Sequence, residues 1–396
     1  MQGPVHALKA CTVTVPKNHP RCGVCTKKLV KNGKTSAGRT RWRCKSCGAS
    51  STQSRVDVSK KAEFTAFLSW ITGKDRQEAH AGSARTFRRQ SAWCWTVSPT
   101  AVVSGEIHPQ IMLDGTYFND WCVLVAYTGN HVIAWQWCDR EKNASWSALL
   151  QQIPAPAVAI VDGHKGLESA LREHWPETKV QRCLFHIQQN IRTHLTMRPN
   201  LDAGKELLAL AKALTPIQDL DQAAVWAGEF ASWEARWESF LKTRTYAKKN
   251  GERPSHIGTN QQWWFTHLRL RRARGTLATV LKNGHLFTWL TAATNEHKID
   301  RTTSPLEGGI NAGLKHLLRD HRGLTDDHAK RAVDWYLYLH SESPKDPWTF
   351  VKPSHWQPQR KQSKTIEEPI GPALYDTAFS PEDGNGIQQG WGGRSR

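Results

Sequence analysis

Apolar residues recur along this chain at three different spacings. Between 109 and 138 they form short runs, 110–118, 121–128 and 131–138, split by Asn119-Asp120 and Gly129-Asn130. Asn, Asp and Gly in pairs favour tight hairpins, so three antiparallel strands are predicted. Residues 157–161 (AVAIV) are apolar without interruption, as in a strand covered on both faces. Helical spacing follows at 165–174, a short strand is predicted at 179–184, and a helix is predicted from about His186. Another helix is predicted near 145–152, capped by Ser145. Antiparallel strands followed by alternating helix and strand describe a mixed α/β layer domain.

On either side the pattern changes. Residues 62–71 are apolar on one face and Gly73 interrupts them. Ser83 is placed to cap a segment that runs on through Phe87 to Trp95 and carries Arg85, Arg88 and Arg89. Short helices ending on a basic one fit a helix-turn-helix, and equally an ordinary helical pair. Residues 200–300 hold long helical patterns at 203–214 and 222–241, with Trp226, Trp233 and Trp237 at helical spacing. They are predicted to be an all-helical insertion. A last helix pair is predicted at 305–319 and 326–340.

The resulting organisation is a polar lead (1–20), a cysteine-rich module (21–53), a helical DNA-binding segment (60–100), the α/β core (108–199 and 301–345) split by the insertion (200–300), and a tail from 352. Pro, Gln, Ser and Gly dominate that tail, and it is predicted to be disordered.

Charge narrows the partners. The 396 residues include 54 Lys+Arg and 35 Asp+Glu, a formal excess of +19. An excess of that size predicts a polyanion, with nucleic acid as the default. No run of about 18 uninterrupted apolar residues exists, so no membrane partner is expected. Nine cysteines without an apolar leader predict a reducing compartment, the cytoplasm. Cys22-Gly-Val-Cys25 and Cys44-Lys-Ser-Cys47 are two C-x2-C knuckles 18 residues apart. Four thiolates at that spacing close a tetrahedral structural Zn2+ site with no open position, a zinc ribbon. Gly23 and Gly48 supply the turns.

Two acids end apolar runs, Ile-Met-Leu-Asp114-Gly-Thr and Ala-Ile-Val-Asp162-Gly-His. Asp-Gly is a common strand-ending turn. Two such acids on neighbouring strands can also converge, and converging carboxylates repel unless a cation lies between them. Mg2+ suits such hard oxygen donors. A third acid would allow two ions and in-line displacement at phosphorus. Glu307, in Thr-Ser304-Pro-Leu-Glu307-Gly-Gly, is the candidate. Ser304 and Glu307 also read as a capping box. Gly308 and Gly309 weaken that helix and offer a small surface for close approach. Glu307, Asn311 and Lys315 follow at i, i+4 and i+8, one helical face. Asp326 and Asp327 read as helix-start acids only. Cys183-Leu-Phe-His186 reads as a buried thiol with a hydrogen-bonded histidine, or as a metal pair lacking partners.

These motifs together resemble bacterial insertion-sequence transposases of the Mutator-like superfamily. The resemblance spans about residues 20–345. It is carried by Leu-Asp114-Gly-Thr, Val-Asp162-Gly-His-Lys165-Gly, Arg-Cys183-Leu-Phe-His186 and Ser-Pro-Leu-Glu307-Gly-Gly-Ile-Asn311. It implies an RNase H-like core holding an Asp114–Asp162–Glu307 (DDE) triad with two Mg2+, or Mn2+. It also implies a helical insertion between the second Asp and the Glu, and Cys183, His186 and Asn311 beside the triad. The commonest family pattern has three residues from Glu to Asn; here there are four. The implied reaction is cleavage at the element's ends to give a 3′-hydroxyl, then strand transfer into target DNA. Terminal inverted repeats and target duplex are the implied partners, bound by a homodimer at the bacterial nucleoid. Arg85, Arg88, Arg89, Lys165 and Lys315 are candidate DNA contacts. Trp263 and Trp264, in a basic stretch, either stack on unpaired bases or belong to a helical core.

Overall fold

The computed structural model describes residues 20–356, apart from 23–24, 37, 39, 53–55, 102–103, 119, 248–253, 255–256, 259 and 293–296. The predicted polar lead up to 19, Gly23, Asn119 and the tail beyond 356 lie outside the described residues. The chain divides into two compact units, Met1–Val351 and Lys352–Arg396. In the second, Pro353–His355 forms a 3-10 turn.

The cysteine-rich module is a small antiparallel sheet of β1 (Leu29–Lys34), β2 (Thr40–Cys44) and β3 (Ser50–Ser51). Three helices follow: α1 (Val56–Thr72), α2 (Gln77–Ala81) and α3 (Ala84–Ser91). Ser83 caps α3 as predicted, accepting from the Thr86 amide. The segment then tightens into a 3-10 turn at Ala92–Thr96. Phe87 is buried against Trp70, ring centroids 5.2 Å apart, which leaves Arg85, Arg88 and Arg89 exposed on α3.

A five-stranded mixed sheet forms the centre. Its strands are β4 (Gln110–Phe118), β5 (Trp121–Tyr127), β6 (Val132–Cys138), β7 (Val158–Val161) and β8 (Lys179–Arg182), in the order β6-β5-β4-β7-β8. β4, β5 and β6 are antiparallel, whereas β7 and β8 run parallel to β4. Side chains alternate faces along each strand. Ile111, Leu113, Leu124 and Val161 pack beneath α4 (Asn143–Leu150) and α5 (Lys165–His174). Met112, Val123, Val125 and Ile160 face the opposite core, shared with α6 (Leu184–Leu195) and the later helices. Helices therefore cover both faces. β4 and β7 are central, as their apolar runs require.

Two boundaries differ from expectation. Ser145 does not cap α4; that helix starts two residues earlier, and the Ser145 hydroxyl donates to the Arg140 carbonyl instead. β8 stops at Arg182 because Leu184 turns into the core as the first residue of α6.

The insertion contains α7 (Asp202–Ala213) and α8 (Leu220–Lys242), which is capped by Asp219. Trp226 and Trp233 are buried and donate to the carbonyls of Leu210 and Ala203, pinning α8 to α7. The insertion is not all-helical. β9 (Arg244–Tyr246) pairs with β10 (Trp263–Phe265) in an antiparallel ribbon. Three consecutive aromatic residues suit a pleated strand better than a helix. Trp263 and Trp264 are thus half-buried ribbon residues, not helical core. Arg244 lies over the Trp263 ring at 4.0 Å and Arg271 over Phe265 at 3.5 Å. The chain continues through α9 (Leu268–Lys282) and α10 (Thr288–Thr291), and closes the unit with α11 (Ala312–Asp320) and α12 (Asp326–Leu339). Thr325 caps α12, so Asp326 and Asp327 occupy its first turn as expected. Among the described residues, no helix is long and apolar enough to cross a membrane.

Candidate active site

The sheet register sets the two aspartates side by side. Leu113 of β4 pairs with Val161 of β7, and the next residues are Asp114 and Asp162. Asp114 lies within β4 rather than at its end, on the same face as Met112. Asp162 follows the last residue of β7. Its Oδ1 accepts from the His164 amide at 2.9 Å, so it also terminates the strand in the manner of an Asp turn.

Each following glycine has a distinct reason. Gly163 has φ +95°, and a Cβ there would strike the Arg182 guanidinium at 1.7 Å. That guanidinium donates to the Asp162 carbonyl at 2.7 Å and to Glu168 at 2.9 Å. Gly115 lies within β4, and a Cβ there would meet the Glu141 carboxyl at 2.6 Å. Glu141 is a fourth acidic group that the sequence reading missed. It precedes α4 in a polar loop, and only the bare Gly115 backbone lets it reach the sheet.

Glu307 comes from a wider turn. Leu306–Asn311 winds as a π-helix before α11, correcting the α-helix expected at 305–319. Such a turn accommodates an extra residue within a helix. It thereby absorbs the four-residue Glu-to-Asn spacing. Asn311 donates from Nδ2 to Asp114 Oδ2 at 2.6 Å, while Lys315 is exposed. The Ser304–Glu307 capping box is not formed. The Thr303 hydroxyl, fully buried, bonds the Glu307 carboxylate instead. Gly308 and Gly309 are exposed, and a side chain at either would meet nothing within 4 Å, so they provide no close approach to the strands.

The electrostatics place these acids near one another. Burial, then the charges of Glu307, Asp162 and Glu141, push the Asp114 carboxyl up to about 7. Burial and then Asp162 push Glu141 up as well. Convergent carboxylates of this kind form a hard-oxygen site in which a divalent cation would relieve the repulsion.

Cys183 and His186 stand at the start of α6 on Glu307's side of the site. His186 Nδ1 is 3.6 Å from Glu307 Oε1. Interaction with the Cys183 sulfur, ahead of the opposing effect of burial, raises His186 to about 9. Burial pushes Cys183 up, but bonds from His186 and Thr303 bring it net below the usual thiol value. Among the described residues, two sets of metal-ligand atoms lie wholly within 4.8 Å of one another: Cys22, Cys25, Cys44 and Cys47, and Cys183, His186 and Glu307. Asp114, Asp162 and Glu307 do not form such a set.

In the four-cysteine set, Sγ atoms of Cys22 and Cys47, of Cys25 and Cys44, and of Cys25 and Cys47 are 3.5, 3.4 and 3.5 Å apart. Tetrahedral zinc thiolates would sit about 3.8 Å apart, so the donors fit that ion with a small expansion. Backbone N–H groups of Cys47 and Ser46 bring the Cys44 thiol down to about 6, while Cys47 among the same sulfurs is pushed up to about 12.

The class defined so far is a mixed α/β protein with a carboxylate cluster on its central strands and a separate four-cysteine module. Comparison with known sequences adds a family likeness over part of the chain. Residues 122–250 match the family model described as "Transposase, Mutator family". This stretch includes Asp162, Cys183 and His186; Asp114 and Glu307 flank it. The chain is 26% identical over 151 residues to the transposase for insertion sequence element IS905 of Lactococcus lactis, covering 34% of this chain and 38% of that protein. It is 38% identical over 91 residues to the transposase for insertion sequence element IS6120 of Mycolicibacterium smegmatis, covering 22% and 27%. The chain thus spans well under half the length of these relatives. The resemblance to insertion-sequence transposases of the Mutator family holds.

Proposed function

We propose that this protein is a DDE transposase that cleaves DNA at the ends of an insertion sequence and joins them to target DNA. The observation that carries the reading is the register placing Asp114 beside Asp162 on neighbouring parallel strands, with Glu307 close enough to raise Asp114. The strand order, with three antiparallel strands followed by two parallel ones, supports an RNase H-like core. Asp114, Asp162 and Glu307 would hold Mg2+ or Mn2+, with Glu141 as a further carboxylate. When bound, a pair of such ions activates the attacking oxygen and stabilises the leaving one. Asn311 holds the Asp114 carboxylate in place, and Thr303 and His186 hold Glu307.

The DNA-facing surfaces follow from charge. The four-cysteine module with Zn2+ and the exposed Arg85, Arg88 and Arg89 of α3 would read terminal inverted repeats. Lys165 and Lys315, both exposed near the acids, would contact phosphate. Trp264 lines an open groove of about 710 Å³ with His194, Arg198, Arg269 and Arg272. An aromatic ring among cations suits unpaired bases; Trp263, the next residue along the strand, is not in that groove and lies under Arg244. Action on two ends favours a homodimer on DNA, and the bacterial nucleoid is the site of action that fits such a substrate.

The test is incubation of the full chain with Mg2+ and a labelled terminal-repeat duplex. Nicked and joined products are expected, both lost in Asp114→Ala. Binding without cleavage, or cleavage unaffected by Asp114→Ala, would overturn the assignment.

A further inference from the structure

Cys183-x-x-His186 looks in sequence like half of a metal site. The fold supplies a third donor from 121 residues further on (307 − 186). Cys183 caps α6, and His186 one turn later shares its side of the helix. The π turn then lowers Glu307 onto the pair. We propose that Cys183, His186 and Glu307 form a binding site for a borderline-soft divalent cation of the zinc class, separate from the four-cysteine module and sharing Glu307 with the all-oxygen carboxylate site.

The geometry meets the requirements of such an ion. One sulfur, one nitrogen and one oxygen all lie within 4.8 Å of one another. Donors of tetrahedral zinc are separated by about 3.3–3.8 Å, given Zn–N near 2.0 Å and Zn–S near 2.3 Å. His186 Nδ1 and Glu307 Oε1, 3.6 Å apart, already have that separation. That nitrogen is buried and makes no hydrogen bond of ordinary geometry among the described residues; the Glu307 carboxylate at 3.6 Å and the Cys183 sulfur are what it faces. The Thr303 hydroxyl touches both Cys183 Sγ, at 3.3 Å, and the Glu307 carboxylate. Thr303 thus steadies two of the three donors, and a water or hydroxide would complete such a three-ligand site. The Thr303 amide also points at the sulfur, at 3.4 Å, and fixes its position.

Donor chemistry sets the selectivity. A thiolate and an imidazole favour Zn2+, Co2+ or Cd2+ over Mg2+. Glu307 is common to this site and to the carboxylate site of the proposed function. A soft ion here would engage the same carboxylate, so one residue links two metal chemistries. The binding claim stands on geometry alone; only this consequence rests on the proposed function.

The test uses the full chain with zinc in its four-cysteine module. Co2+ is added at micromolar concentration, and the thiolate-to-cobalt charge-transfer band is followed. One added equivalent is expected to give the band. Cys183→Ser should abolish it, and Glu307→Gln should weaken Co2+ binding roughly tenfold or more. Glu307→Gln keeps both softer donors and the buried core, so it reports even if Cys183→Ser fails to fold. No band would overturn the proposal. A band persisting in folded Cys183→Ser would mean exchange at the four-cysteine module and would overturn it equally. Unchanged affinity in Glu307→Gln would also do so, because the site would lack its third ligand.

Discussion

Asn311 donates a 2.6 Å hydrogen bond to Asp114 across 197 positions of sequence. The bond joins the π turn to the central strand of the sheet. Both groups are sheltered, Asn311 being only 3% exposed, so water competes poorly for the bond. It fixes one carboxylate oxygen and leaves the other for a ligand.

Asn311→Ala frees that carboxylate to rotate. Cleavage is expected to fall by roughly tenfold to a hundredfold, the scale of a small misplacement at a reacting centre. Asn311→Asp places a like charge on Asp114 and should be worse. Affinity for the terminal-repeat duplex should stay within about twofold, since the residue faces the acids and not solvent. Single-turnover cleavage and duplex binding, measured side by side, separate the two effects.

The Asp114 carboxyl gives the metal-free protein a pH signature. Its folded pKa is raised from 3.8 to about 7. The group's contribution to stability is therefore fully present below about pH 4 and is lost as pH rises through about 7. A shift of that size corresponds to at most ~4 kcal/mol. Asp114→Asn should melt several degrees above wild type at pH 8 without divalent cations. The gap should narrow at pH 5, to well under half, and should close with Mg2+ present. Thermal melts at the two pH values decide it; an equal gap at both would remove the electrostatic explanation.

Glu141 should behave as part of the acidic cluster. Glu141→Gln is expected to raise the Mg2+ concentration needed for half-maximal cleavage several-fold. The fold should persist, because the residue lies in the loop before α4 and Gln keeps its shape. An unchanged Mg2+ titration would reduce Glu141 to a bystander.

Gly163→Ala combines two penalties, a left-handed φ of +95° and a Cβ inside the Arg182 guanidinium. Destabilisation of roughly 1–3 kcal/mol is expected, with the Arg182–Glu168 bridge displaced. Pairing it with Arg182→Ala should recover part of the loss by removing the collision. Urea unfolding of the single and double variants measures both.

Cys44→Ser should lose the structural metal. One zinc fewer per chain is expected by elemental analysis, together with weaker terminal-repeat binding. The near-ultraviolet signal of the tryptophan-rich core should be retained. Full zinc content in this variant would exclude the four-cysteine site.

Much of the α/β core was legible because its signals are local. The hairpin residues and alternating runs marked β4, β5 and β6, and the continuous AVAIV run marked β7. The two Asp-Gly steps marked the strand positions where acids emerge. Caps were less legible. Ser83 and Thr325 behave as caps, but Ser145 and Ser304 do not: the Ser145 hydroxyl bonds the Arg140 carbonyl, and the Glu307 carboxylate is taken by Thr303 instead of closing a box with Ser304. The aromatic ribbon within the insertion was lost in the helical pattern around it. Its pairing segments, 244–246 and 263–265, are far apart in sequence, and neither predicts the other.

The sequence by itself determined which residues are candidates for chemistry: the four-cysteine spacing, the two strand-borne aspartates, and the Cys-x-x-His at the start of α6. Each is written within a few residues and set by local backbone preference. Tertiary structure alone decided which of them meet. The β4–β7 register brings Asp114 to Asp162, and the bare backbone of Gly115 admits Glu141. The π turn swings Asn311 onto Asp114 and Glu307 onto Cys183 and His186. Those contacts depend on long-range packing against a shared sheet, and no local periodicity encodes them.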